Sequence, residues 1–254
     1  MKFSVCIDAV LKGPDIGRKL RDIKSLGGTA FEFWSWWDKD LDEIKEGIRE
    51  TGLNLAAMCT KFISLTDPAQ REVYRTGLAE SLKAAKDLGC KLLISQVGSD
   101  TGQGEAVQKQ SIIDGLRACV PLLEDYGVVL AIEPLNTKID HRGYYLWRSA
   151  EAFEIVDAAA SPWIKVLYDI YHQQIMEGNI INTVSANLKK IGHFHAAGIP
   201  GRGELSSGEL NYPAIFSAID RAGYTGYMGL EYFPTQDPLG ELKSILGRAP
   251  SGRS

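Results

Sequence analysis

Cysteine is scarce in this 254-residue chain, and the four present, Cys6, Cys59, Cys90 and Cys119, are scattered with no Cys-x-x-Cys pair. They read as small buried apolar residues in a reducing cytosol, which excludes a disulfide framework. Basic charge is not in surplus either. Lys and Arg number 28 against 32 Asp and Glu, a net charge of −4, so there is no electrostatic footprint for nucleic acid. No apolar run approaches the roughly 20 residues that a membrane span needs. Met1-Lys2-Phe3-Ser4-Val5 leads straight into a strand-like segment, leaving no room for a signal peptide, and a cytoplasmic location is expected. No Pro/Ser-rich linker or charge run divides the chain. Two phosphate-binding signatures are missing as well. Asp8-Ala9-Val10-Leu11-Lys12-Gly13-Pro14 follows the first strand where a dinucleotide fold would place Gly-x-Gly-x-x-Gly. The glycine-rich stretch from Gly98 to Gly104 lacks the Gly-Lys-Ser/Thr ending of a P-loop and reads as a mobile loop.

What the chain has is alternation. Short apolar runs suggest strands at Phe3–Ile7, Ala30–Phe33, Leu53–Cys59, Lys91–Gln96, Val128–Glu133, Ile164–Asp169, Ile191–His195 and Tyr227–Glu231. Helical spacing fills the gaps. Leu41, Ile44 and Ile48 follow Asp38 as a plausible N-cap; Ile112, Ile113, Leu116, Val120 and Leu123 line a second face, and Ile180, Ile181, Val184 and Leu188 a third. Gly27, Gly52, Gly89, Gly127 and Gly223 recur where helices should return to strands, supplying the left-handed residue that ends a helix at low cost. Eight such units predict an α/β fold, a single-domain (β/α)8 TIM barrel over residues 1–247, with 248–254 as a flexible C-terminal tail. A barrel of this kind takes about 250 residues.

Glu133, Asp169, His195 and Glu231 each sit at the downstream end of a strand candidate. In a parallel barrel those ends open onto one face, where barrel enzymes build their active sites. Three carboxylates and an imidazole converging there need compensation, because neighbouring like charges cannot all stay ionised unaided. One divalent metal ion supplies it, and an oxygen-rich set with one nitrogen suits Mn²⁺, Mg²⁺ or Co²⁺.

The motifs around these strand ends resemble a known family. Glu133-Pro134-Leu135-Asn136, Tyr168-Asp169-Ile170-Tyr171-His172-Gln173-Gln174, the run from His195 to Glu204, Gly208-Glu209-Leu210-Asn211-Tyr212-Pro213 and Gly229-Leu230-Glu231-Tyr232 look like the hydroxypyruvate isomerases of the xylose-isomerase-like TIM barrels, which are related to the ketose 3-epimerases. The resemblance covers nearly the whole chain. It implies that Glu133, Asp169, His195 and Glu231 bind one divalent metal, and that Glu133 and Glu231 move the proton. One position departs from the pattern: hydroxypyruvate isomerases usually carry Gln where this chain has His195, whereas the 3-epimerases carry His. The substrate therefore stays open between a small hydroxy-keto acid and a keto sugar.

Both chemistries begin by removing a proton beside a carbonyl. The metal polarises that carbonyl, one carboxylate takes the proton, and an acid returns one to the neighbouring carbon or the opposite face. His172, Arg202 and Glu204 are expected to bind substrate, Glu204 either by itself or by orienting Arg202; the planar fork of Arg202 suits a carboxylate or a hydroxyl pair. Glu32 is a candidate to support the site from behind or to pair within the barrel mouth. Trp34, Trp36 and Trp37 are expected to wall the pocket, form a subunit interface or simply pack, and a homo-oligomer, dimer or tetramer, is the expected assembly. Lys61 and Lys138 are possible anion partners. His141 and His193 are read as structural, with His193 pointing away from the barrel interior. Two other functions weigh less. A DNA-repair endonuclease of this fold clusters three zinc ions and needs more than the four histidines present, and a non-catalytic sugar-binding barrel would not need two opposed glutamates at a metal.

Overall fold

Each strand is followed by helix in the computed structural model, which describes residues 1–247. The order is β1 (Lys2–Cys6), α1 (Ile16–Ser25), β2 (Ala30–Phe33), α2 (Leu41–Thr51), β3 (Asn54–Cys59), α3 (Arg71–Leu88), β4 (Leu92–Ser95), α4 (Glu105–Tyr126), β5 (Val129–Ile132) and α5 (Ser149–Ala159). Then come β6 (Ile164–Asp169), α6 (Ile170–Met176), α7 (Ile180–Asn187), β7 (Ile191–Ala196), α8 (Tyr212–Arg221), β8 (Tyr227–Leu230) and α9 (Pro238–Leu246). Every neighbouring pair is parallel, and β8 closes on β1 from Lys2 against Tyr227 to Val5 against Leu230. The fold is a single-domain (β/α)8 barrel, as the alternation predicts. The tail expected at 248–254 lies outside the described residues.

Strands buried on both faces explain the near-continuous apolar runs. Val5, Phe31, Leu93, Leu130, Val166 and Phe194 belong to the core between barrel and helices, whereas Ala57, Cys59, Ile94, Ala131 and Leu167 form a separate inner cluster. The interior is thus divided by strand. β3 to β6 fill it with apolar side chains up to Asp169 at the end of β6, while β1, β2 and β7 contribute the buried polar residues Ser4, Glu32, His193 and His195.

Three local expectations are corrected. His193 does not point away: its Nε2 lies 2.8 Å from Glu32 Oε2, a contact between non-adjacent strands that only the interior permits. Residues two apart on a strand share a face, so His193 and His195 point the same way. The N-cap of α2 is Asp40, whose side chain accepts from the Asp42 and Glu43 amides; Asp38 instead accepts from Ser35 Oγ at 2.6 Å. Ile181 is 40% exposed. Helix α7 starts only at Ile180 and gives way to a 3₁₀ turn at Leu188, so the four-residue face expected there is not one continuous stripe. The helix-ending glycines all take positive φ, for example +67° at Gly52 and +60° at Gly127.

Candidate active site

Asp169 is the last residue of β6, His195 lies in β7, and Glu133 and Glu231 each follow directly on β5 and β8. Parallel pairing carries all four to the same end of the barrel. Asp169 also caps α6, accepting the His172 amide at 3.1 Å, which fixes its carboxylate over the mouth. His195 Nδ1 stands 3.3 Å from Glu231 Oε2 and 3.8 Å from Glu133 Oε1. Asp169, His195 and Glu231 offer ligand atoms within 4.8 Å of one another, and so do Glu133, Asp169 and His172.

These residues fit a divalent cation. His195 Nδ1 is buried without a hydrogen-bond partner among the described residues, and it faces two carboxylates. Its other nitrogen, Nε2, lies 3.2 Å from Glu32 Oε1. A donor set of three carboxylates and one imidazole suits a hard or borderline metal and identifies none in particular.

Burial and mutual charge drive the groups apart. Burial first, and then the Glu231 and Asp169 charges, raise the Glu133 carboxyl to about 8 against the pull of His195 and Arg202. Burial also raises Asp169. Glu231 goes the other way: burial opposes its charge, but His195 and Arg202 overcome that and hold it well below the usual range. His195 is raised well above its ordinary value, because Glu231 and Glu32 outweigh the cost of burying its charge. His172 is lowered by burial and by Arg202.

Glu231 is the most tightly held carboxylate. Trp34 Nε1 donates to its Oε1 at 2.5 Å, and Arg202 Nη2 pairs with its Oε2. Arg202 sits in the loop after β7 at φ +55°, with its guanidinium 5.3 Å from the Tyr171 ring and 5.5 Å from Phe233. His172 is fixed differently. Asn136 Oδ1 accepts the Ile139 and Asp140 amides, so its amide nitrogen faces His172 Nδ1 at 2.7 Å. A neutral ring so held carries its proton on Nε2, which has no hydrogen-bond partner among the described residues and lies 3.6 Å from Asp169 Oδ2. Glu133 has no such restraint on its carboxylate; Tyr144 Oη holds only its carbonyl, at 3.0 Å.

A cavity of about 760 Å³ opens above the cluster, lined in part by Trp34, Glu133, His141, His172, Arg202 and Glu231. Glu204, expected at the substrate, is turned elsewhere. Its carboxylate accepts the Thr235 and Gln236 amides at 2.7 and 3.1 Å and the Thr235 hydroxyl at 2.9 Å, which ties the Arg202 loop to the segment after β8. Trp36 packs through Nε1 on Ser81 Oγ at 3.1 Å, and Trp37 stands at the surface edge-on to Phe62. Lys61 pairs with Glu80, and Lys138 bonds the Ile175 carbonyl at 2.8 Å. The stretch from Gly98 is not loose: Asp100 Oδ1 accepts from Gly102 and Gln108, and Gly98 to Thr101 wall the cavity. Sequence reasoning gave no role to Asn136 and Tyr144, and it read as structural His141, which lines the cavity and stacks edge-on to His172 at 5.2 Å. Asn136 had a signal, since it closes the Glu133-Pro134-Leu135-Asn136 motif.

Known proteins place this arrangement. The chain is 30% identical over 244 residues to the hydroxypyruvate isomerase of Escherichia coli (strain K12), covering 92% of this chain and 94% of that one. It is 42% identical over 185 residues to the 2-oxo-tetronate isomerase of Cupriavidus necator, covering 71% of each. A crystal structure described as AP endonuclease, family 2, from Brucella melitensis superposes with a TM-score of 0.92 over 98% of this chain and 99% of that one, at 24% identity, a likeness of fold alone. The family model described as "Xylose isomerase-like TIM barrel" matches residues 20–248. With a closed parallel barrel, a carboxylate–imidazole cluster at its C-terminal mouth and relatives that are isomerases, the chain belongs to the xylose isomerase-like TIM barrel family.

Proposed function

We propose that this isomerase interconverts the keto and aldehyde forms of a small hydroxy-keto acid, of the hydroxypyruvate and tartronate semialdehyde type, with one divalent metal held by Glu133, Asp169, His195 and Glu231. The observation that carries the reading is the contrast between two buried glutamates facing one cavity. The carboxylate of Glu133 takes no hydrogen bond among the described residues, whereas Glu231 is bonded on both oxygens, by Trp34 and Arg202. A free carboxylate and a clamped one are suited to separate roles in moving a proton.

When bound, the cation supplies Lewis acidity that polarises the substrate carbonyl. Glu133 takes the proton from the carbon beside that carbonyl and returns it to the neighbouring carbon. Ionised, as it would be beside the metal, and free of hydrogen bonds, its carboxylate is placed to accept that proton. His172 lines the cavity with its Nε2 3.6 Å from Asp169 Oδ2, and shapes the wall against which the substrate sits. Arg202, the cation on the cavity wall, receives the substrate carboxylate. The names of the bacterial relatives, a hydroxypyruvate and a 2-oxo-tetronate isomerase, support an acid substrate.

A ketose 3-epimerase is the second reading. It is favoured by the position of Glu231, which also lines the cavity and approaches from the strand three places round from that of Glu133. A screen in D₂O separates the two. Protein with Mn²⁺ is offered hydroxypyruvate, tetronates, pentuloses and hexuloses, and deuterium uptake is followed by NMR. Uptake confined to the keto acids, with keto–aldehyde conversion, is the expected result. Uptake at carbon 3 of a ketose with inverted product favours the epimerase, and no uptake from any of them removes both readings.

A further inference from the structure

Glu32 lies in β2 inside the barrel, 2% exposed, beside the carboxylate–imidazole cluster. Its Oε2 accepts from Ser4 Oγ at 3.1 Å and lies 2.8 Å from His193 Nε2. Those two contacts fix the carboxylate from β1 and β7. The remaining oxygen, Oε1, has no hydrogen bond of good geometry and stands 3.2 Å from His195 Nε2. On the far side of the same ring, His195 Nδ1 is also unpartnered and faces Glu133 and Glu231.

We propose that Glu32 is a positioning residue that holds the proton of His195 on Nε2, so that the Nδ1 lone pair is presented to the metal. The proposal rests on the metal reading given above. A carboxylate beside the far nitrogen of a metal-binding imidazole fixes tautomer and ring orientation and raises the ligand's basicity. The backbone opposite is shaped for this contact. A Cβ at Gly229 in β8 would overlap Glu32 Oε1 and lie 2.6 Å from His195 Cδ2. Only glycine leaves the two side chains room to meet. Glu32, His193 and His195 could instead be read as an ion site of their own, since their ligand atoms lie within 4.8 Å of one another. The contacts of Glu32 Oε2 with both Ser4 Oγ and His193 Nε2 argue against it, because they are those of a carboxylate already engaged in hydrogen bonds.

The test is a coupling experiment on metal affinity, read by titration calorimetry with Mn²⁺. Glu32→Gln and Glu32→Leu are made in the wild type and again in His195→Gln. One Mn²⁺ per chain is expected, with Glu32→Leu weakening it about 10–100-fold and Glu32→Gln by less. In the His195→Gln background the same changes should shift affinity by no more than about twofold, the scatter of uncoupled sites. Equal losses in both backgrounds would show that Glu32 merely supports the barrel, and unchanged affinity or a stoichiometry of two would also overturn the proposal. If wild type binds no Mn²⁺, the metal reading itself falls; if it binds and the Glu32 series is flat, only this proposal does. Should Glu32→Leu fail to fold, ¹⁵N NMR of the histidines in the Mg²⁺-loaded wild type decides: the proton of His195 on Nε2 supports the proposal, and on Nδ1 contradicts it.

Discussion

Trp34 reaches Glu231 across 197 positions of sequence, and Glu32 reaches His193 across 161. Neither contact could be read from local pattern, because each depends on how the ring closes. Glu133, Asp169, His195 and Glu231 were legible for the opposite reason. Each carries a chemically demanding side chain at the end of an apolar run, and the barrel places all such ends on one face. His193 was misjudged although the strand's period of two contained the answer. Two predictions belong at this scale. Glu133→Gln removes the unrestrained proton carrier while keeping its volume and one oxygen, so kcat should fall about 10²–10⁴-fold with metal retained. Rate and metal content measured on one preparation check this. Arg202→Ala removes a charge-assisted hydrogen bond worth about 1.5–3 kcal/mol, so KM for hydroxypyruvate should rise tenfold to over a hundredfold. A neutral ketose should be less affected; equal losses on both would assign Arg202 to hydroxyls or to structure.

The loop between β7 and α8 carries Arg202 and is fastened at both ends. Tyr212 Oη donates to the Ala197 carbonyl at 2.7 Å and accepts the Ala197 amide at 3.0 Å, while Glu204 grips Thr235 and Gln236. Tyr212→Phe leaves both buried backbone groups without that partner, at a cost of about 1–3 kcal/mol. A lower melting temperature together with a higher KM is expected, and an unchanged KM would detach the loop from substrate binding. Sequence spacing found the strands, the alternation and the five glycine stops, because periodicity and left-handed backbone are local. It left Glu204 open between a substrate contact and a support for Arg202, since a carboxylate serving backbone amides of a distant loop looks the same in sequence as one facing a ligand. Helix α7 was misread for a similar reason: its apolar spacing runs on into residues that fold as a 3₁₀ turn.

At the scale of the molecule, the balance of buried charge makes metal uptake depend on pH. Without metal, Glu133 and Asp169 lie above their ordinary range through burial first, and His195 lies above its own because neighbouring carboxylates outweigh burial. All three must shed protons to become ligands. Their raised values stabilise the metal-free fold at low pH, and that contribution fades as pH climbs toward about 8, where Glu133 ionises. The rise in melting temperature on adding Mn²⁺ should therefore widen between pH 6 and pH 8, with protons released on binding; a gap that narrows would contradict the assignment of ligands. Removing metal with EDTA should abolish turnover, and Mn²⁺, Co²⁺ or Mg²⁺ should restore it. The most direct test of the central claim is deuterium exchange into hydroxypyruvate, compared between wild type and Glu133→Gln at equal, measured Mn²⁺ occupancy. The account predicts rapid metal-dependent exchange in the wild type and a loss of at least about a hundredfold in the variant. Equal exchange rates in the two proteins, or full exchange by the metal-free wild type, would show that the proton is moved elsewhere.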